Sequence, residues 1–303
     1  MARRRILVTG GAGQVGLELG RLAWPHDVEL VSPDRGELNI CSLHSVEQFI
    51  SHGSLSAVIN CAAWTAVDLA ESHVSDAFQA NCQGPANLAQ VTGKMGIPFL
   101  HVSTDYVFDG ESHRAYRESD PVAPLGVYGA SKLAGELAVA SGNPRSVILR
   151  TAWVVSAWRT NFLKTMLRIG AANQDIRVVS DQLGCPTSAA DIAATLMAIC
   201  LRMIDDVAAP VGIYHFVNSG EASWSDLARH IFSEAACRGG PNPRVTPITT
   251  TDYPTPARRP KNSRLDTSKL AADFGIVPRP WGEAISDIIV ELLPAEQAEG
   301  IAQ

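Results

Sequence analysis

Long apolar runs are lacking in this sequence of 303 residues. After the basic start MARRR, only Ile6, Leu7 and Val8 precede a glycine-rich stretch, and so short a run fits neither a signal peptide nor a membrane span. Positive charge is not in excess either, since 25 lysines and arginines stand against 31 aspartates and glutamates. We therefore expect a protein that binds neither nucleic acid nor a membrane.

Paired cysteines are lacking as well. The six cysteines are scattered along the chain, and no two of them form a CxxC pair. Such spacing is typical of reduced thiols rather than of a disulfide framework or a zinc site. We expect a cytoplasmic protein without a metal centre.

Short apolar runs alternate with helical patterns in the first half of the chain. Continuous apolar runs of this length are typical of strands buried on both faces of a parallel sheet. The runs are ILVT (6–9), VELV (28–31), AVINCA (57–62), FLHVS (99–103) and SVILRT (146–151). The order predicts an α/β fold with a Rossmann-type doubly wound parallel sheet over residues 1–150. Residues 151–303 are predicted to form mainly a second, smaller α/β substrate lobe, with about 174–212 returning to the first domain.

The stretch TGGAGQVG, Thr9–Gly16, follows the first predicted strand and opens a helix. Glycines at such a turn let backbone N–H groups and the helix N terminus approach a pyrophosphate. The stretch fits both the GxGxxG and the GxxGxxG spacing. Asp34 follows the second strand at roughly the 20-residue distance at which a carboxylate binds ribose hydroxyls. Because Arg35 beside it suits a 2′-phosphate, NADH and NADPH both remain open as cofactors.

Tyr128 and Lys132 are four residues apart in GVYGASKLAGE, so on a helix they lie on one face. A nearby ammonium lowers the pKa of a phenol, so we expect Lys132 to make Tyr128 a usable proton donor. Ser103 and Thr104 stand where the fourth strand is predicted to end, which is where open α/β sheets bind ligands. Together with the glycine turn, this set predicts a dinucleotide-dependent enzyme.

These motifs resemble the extended short-chain dehydrogenase/reductase family and, within it, the dTDP-4-dehydrorhamnose reductases. The similarity runs through nearly the whole chain and includes motifs that are not general to the larger family. They are NCAAWTAVDLAES (60–72), VSTDYVFDG (102–110), VYGASKLAGE (127–136), LRTAWV (149–154), NFLKTML (161–167), DQLGCPT (181–187) and YPTPARRPKNSRLDT (253–267).

The resemblance implies reduction of the 4-keto group of dTDP-4-dehydro-β-L-rhamnose by NADPH or NADH, the last step of dTDP-rhamnose synthesis. It implies Thr104, Tyr128 and Lys132 as catalytic residues, with Tyr128 as the proton donor. The implied cofactor-binding residues are Gly10, Gly13, Gln14, Val15, Gly16, Asp34, Asn39, Ile40, Ala62, Ala63, Trp64, Ser103, Tyr128 and Lys132. The implied substrate-binding residues are Thr104, Asp105, Trp153 and Arg259.

Other interpretations stay open at this point. Some members of the resembled family are Mg²⁺-dependent dimers, so a homodimer and Mg²⁺ remain open here, although no carboxylate cluster marks a metal site. An epimerase or another sugar-nucleotide 4-ketoreductase shares the fold, as does a non-catalytic NADP-binding regulatory subunit. The turn SAWRT (156–160) departs from the resembled pattern, in which this turn commonly contains glycine.

Overall fold

Six parallel strands form the main sheet of the computed structural model, which describes residues 3–294. Within this range the strands are β1 (Arg4–Thr9), β2 (Val28–Val31), β3 (Leu55–Asn60), β4 (Phe99–Thr104), β5 (Ser146–Thr151), β6 (Val154–Val155), β7 (Asp175–Val179), β8 (Leu183–Gly184), β9 (Thr187–Ser188), β10 (Gly212–His215), β11 (Ala222–Ser223) and β12 (Arg244–Ile248). The main sheet has the order β2-β1-β3-β4-β5-β10. Since β2 and β3 lie on opposite sides of β1, the carboxyl end of β1 is a topological switch point, where such sheets bind ligands.

Helices cover both faces of this sheet. They are α1 (Gln14–Arg21), α2 (Leu43–Gly53), α3 (Val67–Ala70), α4 (Val74–Phe78), α5 (Gly84–Lys94), α6 (Val127–Gly142), α7 (Phe162–Gly170), α8 (Ala189–Asp205), α9 (Trp224–Ala236), α10 (Ser268–Phe274) and α11 (Trp281–Leu292). A π turn over Gln79–Gln83 joins α4 to α5. No helix in residues 3–294 has both the length and the apolar character needed to cross a membrane.

The side chains of β1 point alternately to the two faces of the main sheet, and each face has its own apolar core. Ile6 packs into a cluster with Leu19 of α1 and Ile192 of α8. Its neighbour Leu7 packs on the opposite face with residues of α2 and α5, among them Ile50. Successive side chains of a strand point to opposite faces, so a strand covered on both sides is apolar throughout. The predicted doubly wound α/β fold is confirmed.

The second lobe is built from short strand pairs and three helices. β7 pairs with β12, β6 with β9 and β8 with β11. Helices α7, α9 and α11 enclose its core, in which Leu163, Ile231 and Ile288 are buried. The chain rejoins the main sheet through α8 and β10, later than the predicted residue 174, because β7 finds its pairing partner in the lobe.

Candidate active site

A cavity of about 1130 Å³ opens at the carboxyl end of the main sheet and extends into the second lobe. Its walls include the glycine turn after β1, the ends of β3, β4 and β5, the start of α6 and parts of α7, β7 and α9. Of the predicted cofactor residues, those in the cavity wall are Gly10, Gly13, Gln14, Val15, Gly16, Ala62, Ala63, Ser103, Tyr128 and Lys132. Thr104, Asp105, Trp153 and Arg259 line it too. The fold therefore brings most of the predicted residues to one place.

The glycine turn is compact enough to exclude side chains. Gly10 has a φ of +74°, and a Cβ built on it would lie 2.5 Å from the backbone nitrogen of Ala62. A Cβ on Gly16 would lie 2.5 Å from the Cα of Gly11. Gly13 is the N-cap of α1, so the helix begins directly at the turn. Bare backbone at a helix N terminus is the arrangement that binds a dinucleotide pyrophosphate, and the residues present fit such a group.

The residues predicted for the adenosine end lie outside the cavity wall. Asp34 is exposed, and its carboxylate accepts hydrogen bonds from the backbone N–H groups of Gly36 and Glu37, at 2.7 and 3.0 Å. The Asn39 side chain accepts a hydrogen bond from the Cys41 N–H. The side chain of Ile40 packs over Gly84. These contacts order the loop after β2. The role of Asp34, Asn39 and Ile40 in binding a cofactor stays a prediction.

The Trp64 side chain also points away from the cavity wall. Its indole ring stacks on His73, with centroids 5.7 Å apart, and its Nε1 donates to the Ala66 carbonyl. The Trp64 backbone is held by Asn81, whose amide accepts from the Trp64 N–H and donates to its carbonyl. The π turn thus holds the backbone at position 64, while the Trp64 side chain lies outside the cavity wall.

Tyr128 and Lys132 lie one turn apart near the start of α6, which begins at Val127. The Lys132 ammonium is buried and donates a 2.7 Å hydrogen bond to the Val102 carbonyl of β4. The Tyr128 ring packs edge-on against Tyr106, with centroids 5.3 Å apart. The absence of a side chain at Gly129 lets α6 approach Tyr106 closely, since a Cβ on Gly129 would collide with the Tyr106 carbonyl.

The pKa values at this pair differ from the sequence-based expectation. Removal from solvent raises the pKa of Tyr128 to about 12; the Thr104 hydroxyl opposes this rise and the Asp105 carboxylate adds to it. The Lys132 ammonium donates to the Val102 carbonyl, and its expected lowering of the phenol pKa stays a prediction. Burial lowers the pKa of Lys132 itself to about 8, while the Glu136 carboxylate acts in the opposite direction.

Three polar side chains follow one another at the end of β4. The Ser103 hydroxyl is buried and has no hydrogen-bond partner among residues 3–294. Thr104 donates to the Asp105 carboxylate at 3.0 Å and accepts from the Tyr106 N–H. Burial raises the pKa of Asp105 to about 6. A buried hydroxyl without a hydrogen-bond partner and a buried carboxyl with a raised pKa, both in one cavity, indicate a ligand-binding site.

Trp153 takes part in an aromatic stack on the second-lobe side. Its ring lies parallel to that of Trp224, with centroids 3.5 Å apart, and Phe162 tilts against Trp224. The backbone φ of Trp153 is +49°, in the left-handed region that is unusual for an aromatic residue. Strain of this kind is concentrated at functional sites.

Arg259 is the one residue of the basic 258–264 loop that lines the cavity within the described range. Its guanidinium makes two hydrogen bonds to Asp68 of α3, at 2.8 and 3.2 Å. Arg264 of the same loop instead pairs with Glu221 and donates to the His113 carbonyl. Arg258 and Lys261 are exposed.

Several cavity or supporting residues were not predicted from the sequence: Asp68, Asn81, Phe162, Trp224, Arg159 and Arg177. Asn81 lies on the π turn, and a π turn within a helix often marks a functional position. Trp224 begins a helix whose capping residue, Ser223, is recognisable in the sequence. Within residues 3–294 no three metal-ligating side chains come together.

Comparison with known proteins identifies the family. The family described as RmlD substrate binding domain matches residues 4–293. The chain belongs to this family. A relative from Sinorhizobium fredii, named dTDP-4-dehydrorhamnose reductase, is 44% identical over 290 residues, which cover 95% of this chain and 98% of the relative.

Solved structures of the family agree with the fold. A dTDP-4-dehydrorhamnose reductase from Clostridium acetobutylicum superposes with a TM-score of 0.89 at 37% identity, covering 95% of this chain and 99% of that one. One from Bacillus anthracis, solved in complex with NADP, gives a TM-score of 0.88 at 33% identity with the same coverage. The resemblance stated from sequence motifs is thereby confirmed at the level of the family.

Proposed function

We propose that this member of the RmlD family reduces the 4-keto group of dTDP-4-dehydro-β-L-rhamnose to give dTDP-L-rhamnose, with NADPH or NADH as the reductant. The observation that carries the proposal is the convergence of Tyr128, Lys132 and Thr104 on the cavity that begins at the glycine turn. The complete set favours catalysis over a purely regulatory subunit.

Tyr128 is suited to donate a proton. When bound, the reduced nicotinamide supplies a hydride to the carbonyl carbon. The carbonyl oxygen then needs a proton, and a phenol whose pKa is raised to about 12 is fully protonated at neutral pH. The Thr104 hydroxyl, which lowers that pKa, favours release of the proton as negative charge develops on the phenol oxygen.

Lys132 is suited to hold the cofactor and to support Tyr128. With a pKa of about 8, the ammonium remains mostly protonated at neutral pH. Its bond to the Val102 carbonyl fixes one of its three N–H donors, and the other two remain for ribose hydroxyls. Ser103, Ala62 and Ala63 complete the wall beside it, and the unsatisfied Ser103 hydroxyl is available to a ligand.

The second-lobe side of the cavity has groups that suit a sugar nucleotide. Arg259 places a positive charge in the cavity wall, and guanidinium groups bind diphosphates well. The stacked Trp153 and Trp224 rings provide an apolar face for a planar or sugar ring. Asp105 and Thr104 provide polar groups next to Tyr128.

The test is oxidation of NADPH and of NADH, in separate reactions, with enzymatically generated dTDP-4-dehydro-β-L-rhamnose, followed by identification of the sugar product. We expect oxidation matched by formation of dTDP-L-rhamnose, and the two rates give the cofactor preference. An epimerase would change the sugar without net oxidation. A folded protein that binds the cofactor but oxidises neither form would overturn the proposal.

A further inference from the structure

The segment between β6 and α7 turns back over the glycine turn of the first domain. The Ser156 hydroxyl and the Asn161 amide both donate to the Gln14 side chain, at 2.8 and 2.9 Å. The Trp158 indole donates to Glu18 one turn further along α1, at 3.0 Å. These bonds hold the second-lobe segment above the N terminus of α1.

Arg159 lies in this segment and contacts the glycine turn itself. Its Nε donates a 2.6 Å hydrogen bond to the Ala12 carbonyl. Arg159 lines the cavity together with Gly10 and Gly13, and its two terminal nitrogens have no hydrogen-bond partner among residues 3–294. The guanidinium is thus oriented by one bond while its four terminal N–H donors remain available.

The backbone at Arg159 is in a conformation that disfavours arginine. Its φ of +57° lies in the left-handed region, which glycine adopts without cost and other residues do not. The side chain is exposed and takes part in no ion pair with the described residues. Folding alone gives little reason for arginine at this position, and strained residues at a cavity wall are typical of binding sites.

The other cations that line the cavity stand on other parts of its wall, among them Arg177 on β7 of the second lobe. Lys132 is bonded to the Val102 carbonyl of β4, and Arg259 is paired with Asp68. Arg35, which suits a 2′-phosphate, is exposed and does not line the cavity. Among residues 3–294, Arg159 is therefore the cation that contacts the glycine turn.

We propose that Arg159 binds the pyrophosphate of the dinucleotide cofactor from the second-lobe side. The inference rests on the proposed function, since it assumes that the cavity takes NADPH or NADH. Two phosphates placed at the N terminus of α1 would meet backbone N–H groups on one side and the Arg159 guanidinium on the other. Cofactor binding would thereby also tie the second lobe to the first domain.

The experiment measures dissociation constants for NADPH, NADH, ADP and adenosine with the wild-type protein and with Arg159→Gly. We expect Arg159→Gly to weaken binding of NADPH, NADH and ADP by about tenfold, the effect of one charged hydrogen-bonding group. Adenosine, which carries no phosphate, should bind equally to both proteins. Thermal unfolding of Arg159→Gly should occur at the wild-type temperature or above it, because glycine accepts the positive φ.

Arg168→Ala is the matched control, since Arg168 is exposed on α7 and lies outside the cavity wall. It should leave all four constants unchanged. Unaltered ADP binding by Arg159→Gly would overturn the inference, as would an equal loss of adenosine binding. A folded wild-type protein that binds neither NADPH nor NADH would remove the proposed function, and this inference with it.

Discussion

Arg259, which lines the cavity, and Asp68, which is 191 positions away in the sequence, are joined by two hydrogen bonds. The Asp68 carboxylate also accepts from the Ala257 N–H, so it fixes both the guanidinium and the backbone of the loop that carries it. The Arg259 bond lowers the pKa of Asp68. A carboxylate that positions an arginine in this way leaves the outer edge of the guanidinium available to an anion.

Replacing Arg259 should impair sugar-nucleotide binding and spare cofactor binding. In Arg259→Ala we expect the KM for the dTDP-sugar to rise about tenfold or more, because a charged hydrogen bond of roughly 1.5–3 kcal/mol is lost. Steady-state kinetics with varied sugar nucleotide measures this, and a fluorescence titration measures the NADPH dissociation constant. Arg258→Ala, at the exposed neighbouring position, is the control. An unchanged KM would exclude Arg259 from substrate binding.

Local patterns were sufficient to predict the first half of the fold. The predicted strands at 28–31 and 146–151 have the observed bounds, because buried parallel strands are continuous apolar runs. Tyr128 and Lys132 share a helix, so their spacing alone predicts that they lie on one face. The glycine turn follows β1 directly, and the residues that form its phosphate-binding backbone are neighbours in the sequence.

The remaining parts of the site depend on contacts between distant segments. Trp224 reaches the cavity only because α9 packs in the second lobe, where its ring meets Trp153. Asp68 acquires its role from a loop near residue 259. The partner of Lys132 is likewise distant in sequence, since the Val102 carbonyl that accepts from its ammonium lies on β4. Sequence spacing carries no information about such partners.

Removal of the Tyr128 hydroxyl should abolish most turnover while cofactor binding persists. For Tyr128→Phe we expect kcat to fall by roughly 10²–10⁴-fold, the usual contribution of a general acid. The NADPH dissociation constant should stay within a factor of about two to three, because the ring packing against Tyr106 is retained. Tyr214→Phe, which removes a hydroxyl bonded to Asp273 outside the cavity wall, is the control. Near-normal turnover in Tyr128→Phe would contradict the assigned role.

The buried Asp105 carboxyl should make stability depend on pH. Its pKa is about 6 in the folded protein against 3.8 ordinarily, so between these values only the unfolded chain has released the proton. Stability therefore falls as pH rises through this window, by roughly 3 kcal/mol for a shift of this size. Asp105→Asn should remove this fall, so that urea denaturation shows it to be more stable than wild type at pH 7.5 and comparable to it at pH 4.

The pKa of Asp109 is shifted in the direction opposite to that of Asp105, so the two carboxyls can be compared. The Tyr116 hydroxyl donates a 2.6 Å hydrogen bond to its carboxylate and lowers its pKa. Its contribution to stability is therefore present above the usual carboxyl range and lost as pH falls. Asp109→Asn should be less stable than wild type at pH 7.5. If Asp105→Asn behaved like Asp109→Asn in the same urea titrations, the Asp105 carboxyl would not be the buried acid described above.

Two glycines of α1 should respond in opposite ways to alanine. A Cβ at Gly16 would lie 2.5 Å from the Cα of Gly11, so the turn must shift, whereas a Cβ at Gly20 would meet no atom within 4 Å among the described residues. Gly16→Ala should lower the melting temperature and weaken NADPH binding, because the shifted turn no longer presents its backbone N–H groups. Gly20→Ala should stabilise the protein by about 0.5–1 kcal/mol through reduced chain entropy, with NADPH affinity unchanged. Calorimetry with a parallel cofactor titration measures both variants. Equal cofactor affinity in the two would mean that the close approach of α1 to its turn is unrelated to dinucleotide binding.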